Sequence, residues 1–373
     1  MLIWSPGCLI INRSCLKLQR SAVNSDFGEW ASALITIALA GAAAASSAQS
    51  FTSRELVDVE FGDSNALNVL ISSPGAHAPG LYRWAPGVPA PTRVCALASP
   101  AGFSFDRRYI IERARGEPAI VNVFDARRCR RLAHLRIPGA VVVDADARDR
   151  QLAIATRDKD GNRKVRLYNF RGKPVAETAV GVNVEMGFAP DGKALVNFDL
   201  ADKTESRSGI WTLPRLTRAQ LPTWAREGEM TFVQGARYVK RYTGNLLSVV
   251  RWPDGRHLHT VTASQNARLR ALSGNGRFGL LHQRQAQIES LDWIDFASGR
   301  RLTIASGQHG SIDHATIDAT GHMLAWSVRS TDGDNRVTVH RASIDRSGET
   351  AVIRLPDPAR AATDKPAPQV GPP

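Results

Sequence analysis

Four arginines stand at the same place in a recurring pattern. Arg113, Arg157, Arg241 and Arg284 each mark the point where an apolar run gives way to a polar turn. A guanidinium is planar, permanently charged and donates through a rigid fork that matches carboxylate and phosphate oxygens. His282 and Trp326 occupy neighbouring positions, and Arg115, Lys240 and Arg329 add to the charge. Grouped on one surface, these residues suit the recognition of carboxylates, phosphates or acidic peptide side chains. The signatures of catalysis are missing. The chain carries no GxSxG elbow, HExxH, phosphate-binding loop, or GxGxxG opening a helix. We therefore assign no catalytic residue and expect no cofactor.

Other chemistry-bearing groups are sparser. Asp158, Asp160 and Asn162 form one short acidic tip, and Asp332, Asp334 and Asn335 a second. Calcium loops need more oxygens and a closing Glu, and Asp-Gly and Asn tips are what tight hairpins use. His309 and His314 are close in sequence, yet no third ligand can be placed beside them. We assign no metal site.

The formal charge is +13, distributed along the chain rather than on one tail. Short clusters occur at Arg127, Arg128, Arg130 and Arg131, and at Arg163, Lys164 and Arg166, where hairpin turns are expected. Such a balance admits an acidic partner. Nucleic acid is supported by charge alone and contradicted by the leader. Residues 30–45, WASALITIALAGAAAA, are uncharged and mostly apolar and are followed by SSAQS, with Ser46 and Ala48 spaced as a cleavage site. The run is short for a membrane span, which needs about 20 residues. Residues 1–48 are thus expected to be a signal peptide or leader, and the protein periplasmic or secreted in a bacterium. An uncleaved leader anchoring the chain to the inner membrane is the alternative, and the sole route to membrane association.

These groups are positioned by repeats. Beyond Phe51 no helical periodicity is sustained, and β-rich runs alternate with turn residues. One unit, a strand, a tight Asp/Gly/Asn turn and an apolar strand, occurs seven times: FGDSNALNVLI, FSFDRRYIIE, ADARDRQLAIA, FAPDGKALVNF, FVQGARYVKRY, LSGNGRFGLLH and IDATGHMLAWS. With the second strands aligned on Ala66, Tyr109, Gln151, Ala194, Tyr238, Phe278 and Met323, the spacings are 43, 42, 43, 44, 40 and 45. A second hairpin follows each copy: LYRWAPG, VNVFDAR, VRLYNFRG, GIWTLP, SVVRWPDG, DWIDFASG and VTVHRAS. Each repeat thus has four antiparallel strands, a to d. A single such unit cannot bury both faces, so neighbours must stack. The expected fold is all-β, a seven-bladed β-propeller over residues 49–356, with a disordered Pro/Ala-rich tail at 357–373. Within it Cys95 and Cys129 fall at different heights in adjacent blades, and both a disulfide and two free thiols stay open.

FAPDGKALV at 188–196 and WIDFASGRRLTI at 293–304 resemble the repeats of TolB-type and WD-repeat-like bacterial propellers. That resemblance implies the fold and says little about activity. The expected function, read from the leader, the cationic loop residues and the missing catalytic motifs, is a monomeric, exported, non-catalytic binding or scaffold protein. Such a protein would grip a protein or peptide, in particular an acidic one, on the face formed by its d–a and b–c loops. The alternatives are a propeller enzyme of lyase, lactonase or cyclase type, or a regulatory propeller related to prolyl oligopeptidase-type peptidases.

Overall fold

The computed structural model describes residues 49–354, apart from 53–56, 63–64, 73–77, 117, 139–141, 158–161, 183–185, 198–208, 221, 226–228, 234–236, 265, 286–287, 308–309, 331–335 and 346–351. The leader, the tail, His309 and nearly all of both acidic tips lie outside the described residues.

The first strand, β1 (Gln49–Thr52), belongs to the last blade. Blade 1 follows as β2 (Val57–Phe61), β3 (Leu67–Ile71), β4 (Gly80–Trp84) and β5 (Thr92–Ala96). Blade 2 is β6 (Ala101–Phe103), β7 (Tyr109–Ala114), β8 (Ala119–Asp125) and β9 (Arg131–Ile137), and blade 3 is β10 (Val142–Arg148), β11 (Gln151–Arg157), β12 (Asn162–Asn169) and β13 (Pro174–Val182). Blade 4 comprises β14 (Met186–Phe188), β15 (Ala194–Asn197), β16 (Gly209–Thr212) and β17 (Thr217–Ala219). Blade 5 comprises β18 (Glu229–Phe232), β19 (Tyr238–Thr243), β20 (Leu246–Arg251) and β21 (His257–Thr262). Blade 6 holds β22 (Arg268–Leu272), β23 (Phe278–Gln285), β24 (Ile288–Asp295) and β25 (Arg300–Gly307). Blade 7 holds β26 (Gly310–Ile317), β27 (Met323–Ser330) and β28 (Arg336–Asp345), with β1 and β29 (Val352–Arg354) sharing its outer edge. The protein is a seven-bladed propeller of antiparallel sheets, as the repeats predict. Six second strands begin on the residue that the alignment marks, and β3 begins one later, at Leu67.

Ring closure is shared between the two ends of the described chain. β1 pairs with Arg336–Val339 of β28, and β29 pairs with Ser343–Asp345 of the same strand. Neither partner is legible in the repeat pattern, since each is a single strand outside a repeat.

The apolar core is divided among the gaps between blades. Because side chains on a strand alternate faces, Leu280 of β23 packs toward blade 7 with Trp326, while Leu281 packs toward blade 5 with Leu247 and Val249. Among the described residues seven such clusters join neighbouring blades, one of them placing Val59, Leu67 and Val69 of blade 1 against Ala325 and Val337 of blade 7. Leu67, Val69, Leu247, Leu280 and Leu281 are fully buried. Each contributes about 1.5–3 kcal/mol relative to exposure, and each does so only when the next blade is present.

The a–b turns use the chemistry expected of Asp, Asn and Gly. The carboxylates of Asp106 and Asp191 and the Asn275 side-chain oxygen accept from the amides two residues on. Gly321 has φ 84°, and a Cβ there would lie 2.2 Å from the Phe278 ring. In blade 2 the same left-handed position is held by Arg107, at φ 62°.

Cys95 of β5 and Cys129 of the c–d turn of blade 2 form a disulfide, with their Cα atoms 5.3 Å apart. Cys129 sits in this turn at φ 53°, and the disulfide joins the turn to the outer strand of blade 1. Among the described residues, no helix is long and apolar enough to cross a membrane.

Candidate functional site

Arg113, Arg157, Arg241 and Arg284 all lie in the second half of a b strand, at the b–c end of the ring. Their surroundings differ. Arg241 donates to the Trp224 carbonyl and meets His257 Nε2 at 2.9 Å. Arg284 is exposed and lies 3.8 Å from Glu289 of its own blade. The side chain of Arg157 lies outside the described residues.

The other two expected rim residues are not at the surface. Trp326 is 4% exposed, packs in the cluster between blades 6 and 7 and stacks on His340. It projects from the same face of β27 as Leu324, which turns it into the blade interface. His282 is also buried, on the face of β23 that meets blade 7. There it forms the middle of a chain. Glu289 meets His282 Nε2 at 3.1 Å, and Arg270 meets His282 Nδ1 at 3.0 Å through Nη2. Burial, and next the Arg270 charge, hold the His282 pKa below its ordinary value. A neutral ring then accepts from Arg270 at Nδ1 and donates to Glu289 at Nε2. Glu289 also accepts the Ile312 amide of blade 7, at 2.7 Å.

This chain orients a residue that sequence reasoning missed. Arg270 is the extra residue of a β-bulge: Leu269 pairs with Leu281 and Ala271 with Leu280, leaving Arg270 unmatched. Bulges re-aim single side chains. Arg270 lines a cavity of about 740 Å³ at the opposite end of the ring from the four arginines. Inner strands of blades 1, 6 and 7 and the a–b turns of blades 1, 2, 6 and 7 form its wall. Plain alternation in RLRAL would give Arg270 the same setting as Arg268, so nothing local signals its separate role.

Across this cavity lies a second charged group. Arg107 makes ion pairs with Asp58 at 3.1 Å and Glu60 at 3.2 Å. Thr316 of blade 7 donates to Glu60, and His314 Nδ1 lies 3.4 Å from Asp58. Three blades thus meet at one partly buried cluster on the cavity wall. Burial pushes Glu60 up from its ordinary 4.5 to about 7, against the Arg107 charge, which lowers it. Asp146, behind the turn that carries Arg107, is likewise raised by burial, to about 6. Among the described residues no group of three or more His, Cys, Asp or Glu side chains could hold a metal ion.

These two carboxyls give a pH dependence of unusual sign. The folded state retains protons that the unfolded chain releases above about pH 4. Their contribution is complete below that pH and is lost as pH rises toward 6 and 7. These two groups alone would lower the melting temperature from pH 5 to pH 8, with up to about 3 kcal/mol at stake per group, while His282, His259 and His340, whose pKa values burial lowers, act in the opposite sense. Glu60→Gln should flatten this slope, and an unchanged slope would show that Glu60 titrates normally.

No family model matches the chain, and no curated protein matches it either. Solved structures do. The β-propeller domain of Cps50 (Swd1) from Myceliophteria thermophila is 11% identical, with TM-score 0.51, covering 78% of this chain and 97% of that one. The likeness is one of fold. A chain in a mitotic checkpoint complex matches at TM-score 0.46 and 12% identity, covering 78% and 91% of the two chains. A putative 6-phosphogluconolactonase from Bacteroides fragilis matches at 0.47 and 14%, covering 79% and 95%. At such identities the propeller architecture is what is shared.

Proposed function

We propose that this propeller is a non-catalytic binding protein whose partner is an acidic protein or peptide, with one carboxylate seated at Arg270. The observation that carries the reading is Arg270 itself. It is exposed to the cavity, oriented by His282 and Glu289, and has no carboxylate within ion-pair distance among the described residues. Burial lowers the Arg270 pKa from its ordinary value, against the charges of Glu289 and Asp313, which raise it; the hydrogen bond to the neutral imidazole sets its position before an anion arrives. Because Arg270 is exposed, removing its charge should leave the fold standing.

The leader-like run at 30–45 and the Cys95–Cys129 disulfide support an exported protein, since disulfides persist in oxidising compartments. The TolB-type resemblance of FAPDGKALV fits the same location.

The test uses fluorescein-labelled hexaglutamate and fluorescence anisotropy at low salt. Arg270→Gln should weaken binding about tenfold, the loss expected for one charge-assisted hydrogen-bonding pair, with a small fall in melting temperature because His282 Nδ1 loses its donor. Equal affinity of wild type and variant would exclude Arg270 as the contact. A second reading, catalysis, is favoured by Glu60, which holds a proton near neutrality on the cavity wall beside Asp58. Under that reading Glu60→Gln abolishes turnover of a substrate while leaving hexaglutamate binding intact.

A further inference from the structure

A groove of about 460 Å³ runs between blades 2 and 3 and shares Arg108, Tyr109 and Asp125 with the wall of the channel-mouth cavity. Arg130, Arg150 and Arg171 line it from three different turns: the c–d turn of blade 2, the a–b turn of blade 3 and the c–d turn of blade 3. All three are exposed, and none makes an ion pair among the described residues. Among the described residues the one carboxylate in the lining, Asp125, is committed to the amides of Arg127 and Arg128. Leu132 and Phe170 add an apolar strip to the floor.

We infer that this groove is a docking surface for an extended acidic peptide segment carrying one aliphatic side chain between its carboxylates. The inference extends the reading of an acidic partner to a second, independent contact on the same face.

Three observations support this occupant. First, three unpaired guanidinium groups around one groove repel one another, and an anionic occupant relieves that repulsion better than screening by salt. Second, the wall is set before binding. The Arg127–Arg131 turn is fastened to blade 1 by the Cys95–Cys129 disulfide, which reduces the ordering cost of association. Third, the Tyr109 ring is not free to stack on bases. Tyr109 is 6% exposed, the Arg108 guanidinium lies 5.9 Å from its centroid, and Phe170 meets it edge to face at 5.2 Å. Single-stranded nucleic acid needs open ring faces as well as charge, and an acidic peptide needs none.

The test compares three labelled peptides by anisotropy: Asp-Glu-Leu-Glu-Asp, the same peptide with Ser for Leu, and an oligothymidine of similar length. Wild type should prefer the leucine peptide severalfold, and binding should weaken strongly at about 0.3 M salt. The double variant Arg130→Gln and Arg171→Gln should lose about tenfold in affinity and keep its melting temperature, because both side chains are exposed in turns. Arg270→Gln should leave the preference for leucine over serine unchanged, which separates this site from the channel mouth. The inference is overturned if the double variant binds the leucine peptide as wild type does. It is also overturned if leucine and serine peptides bind alike, or if the oligothymidine binds more tightly than either.

Discussion

Asp146→Ala should destabilise the fold by about 3 kcal/mol or more, since each unsatisfied buried donor costs about 1–3 kcal/mol. Asp146 lies in the inner strand of blade 3 and accepts three backbone amides. Its Oδ1 takes those of Phe105, in blade 2, and Ala147; its Oδ2 takes that of Phe188, in blade 4. One carboxylate therefore satisfies donors from three consecutive blades. Alanine removes every acceptor and supplies none. Asn is the informative control, because its oxygen can serve Phe105 and Ala147 while its NH₂ confronts the Phe188 amide. We expect Asp146→Asn to cost about a third as much, since one donor of three is lost. Urea denaturation of both variants measures the ratio. Equal losses would show that the carboxylate charge, not the count of accepted bonds, holds the three blades together.

Arg107→Ala is expected to cost about 2–3 kcal/mol near pH 8, below the usual penalty for breaking a fully buried ion pair because the cluster is partly exposed to the cavity. Asp58 and Glu60 would then share a partly buried site without their common cation. The backbone sets up a sharper comparison. At φ 62° Arg107 occupies a left-handed conformation that costs a non-glycine residue about 1–2 kcal/mol. The equivalent turn positions in blades 4, 6 and 7 are Gly192, Gly276 and Gly321, all at positive φ. Arg107→Gly should therefore be less damaging than Arg107→Ala by about 1 kcal/mol, while still less stable than wild type. Both variants should recover part of the loss at pH 5, where Glu60 binds a proton and one charge disappears. Thermal melts of the two variants at pH 5 and pH 8 test this. A glycine variant more stable than wild type would mean that the ion pairs do not outweigh the strain.

Both predictions concern residues that stand out only once the blades are assembled. Asp146 belongs to the turn unit ADARDRQLAIA and looks like an ordinary turn-flanking acid. Arg107 reads as the third residue of a hairpin turn. Their partners lie roughly one repeat or more away, at Phe188 and Phe105 for Asp146 and at Asp58 and Glu60 for Arg107. Local pattern carries no information about which neighbour faces them.

What the sequence by itself determined is the architecture. Alternating apolar residues, hairpin turns built on Asp, Asn and Gly, and a period held between 40 and 45 residues are local properties, and they locate the second strand of each blade to within one residue. Side-chain alternation and turn chemistry act over two to four residues, so they survive without knowledge of the neighbours. The tertiary structure decided the rest. It turned Trp326 and His282 into blade interfaces, because the face a residue presents depends on which blade packs there. It brought Cys95 to Cys129, a left-handed residue in a turn, and it closed the ring with β1 and β29 on one strand. It also freed Arg270 through a one-residue bulge. A bulge is a mismatch in register between two strands, and register belongs to the pair rather than to either sequence alone.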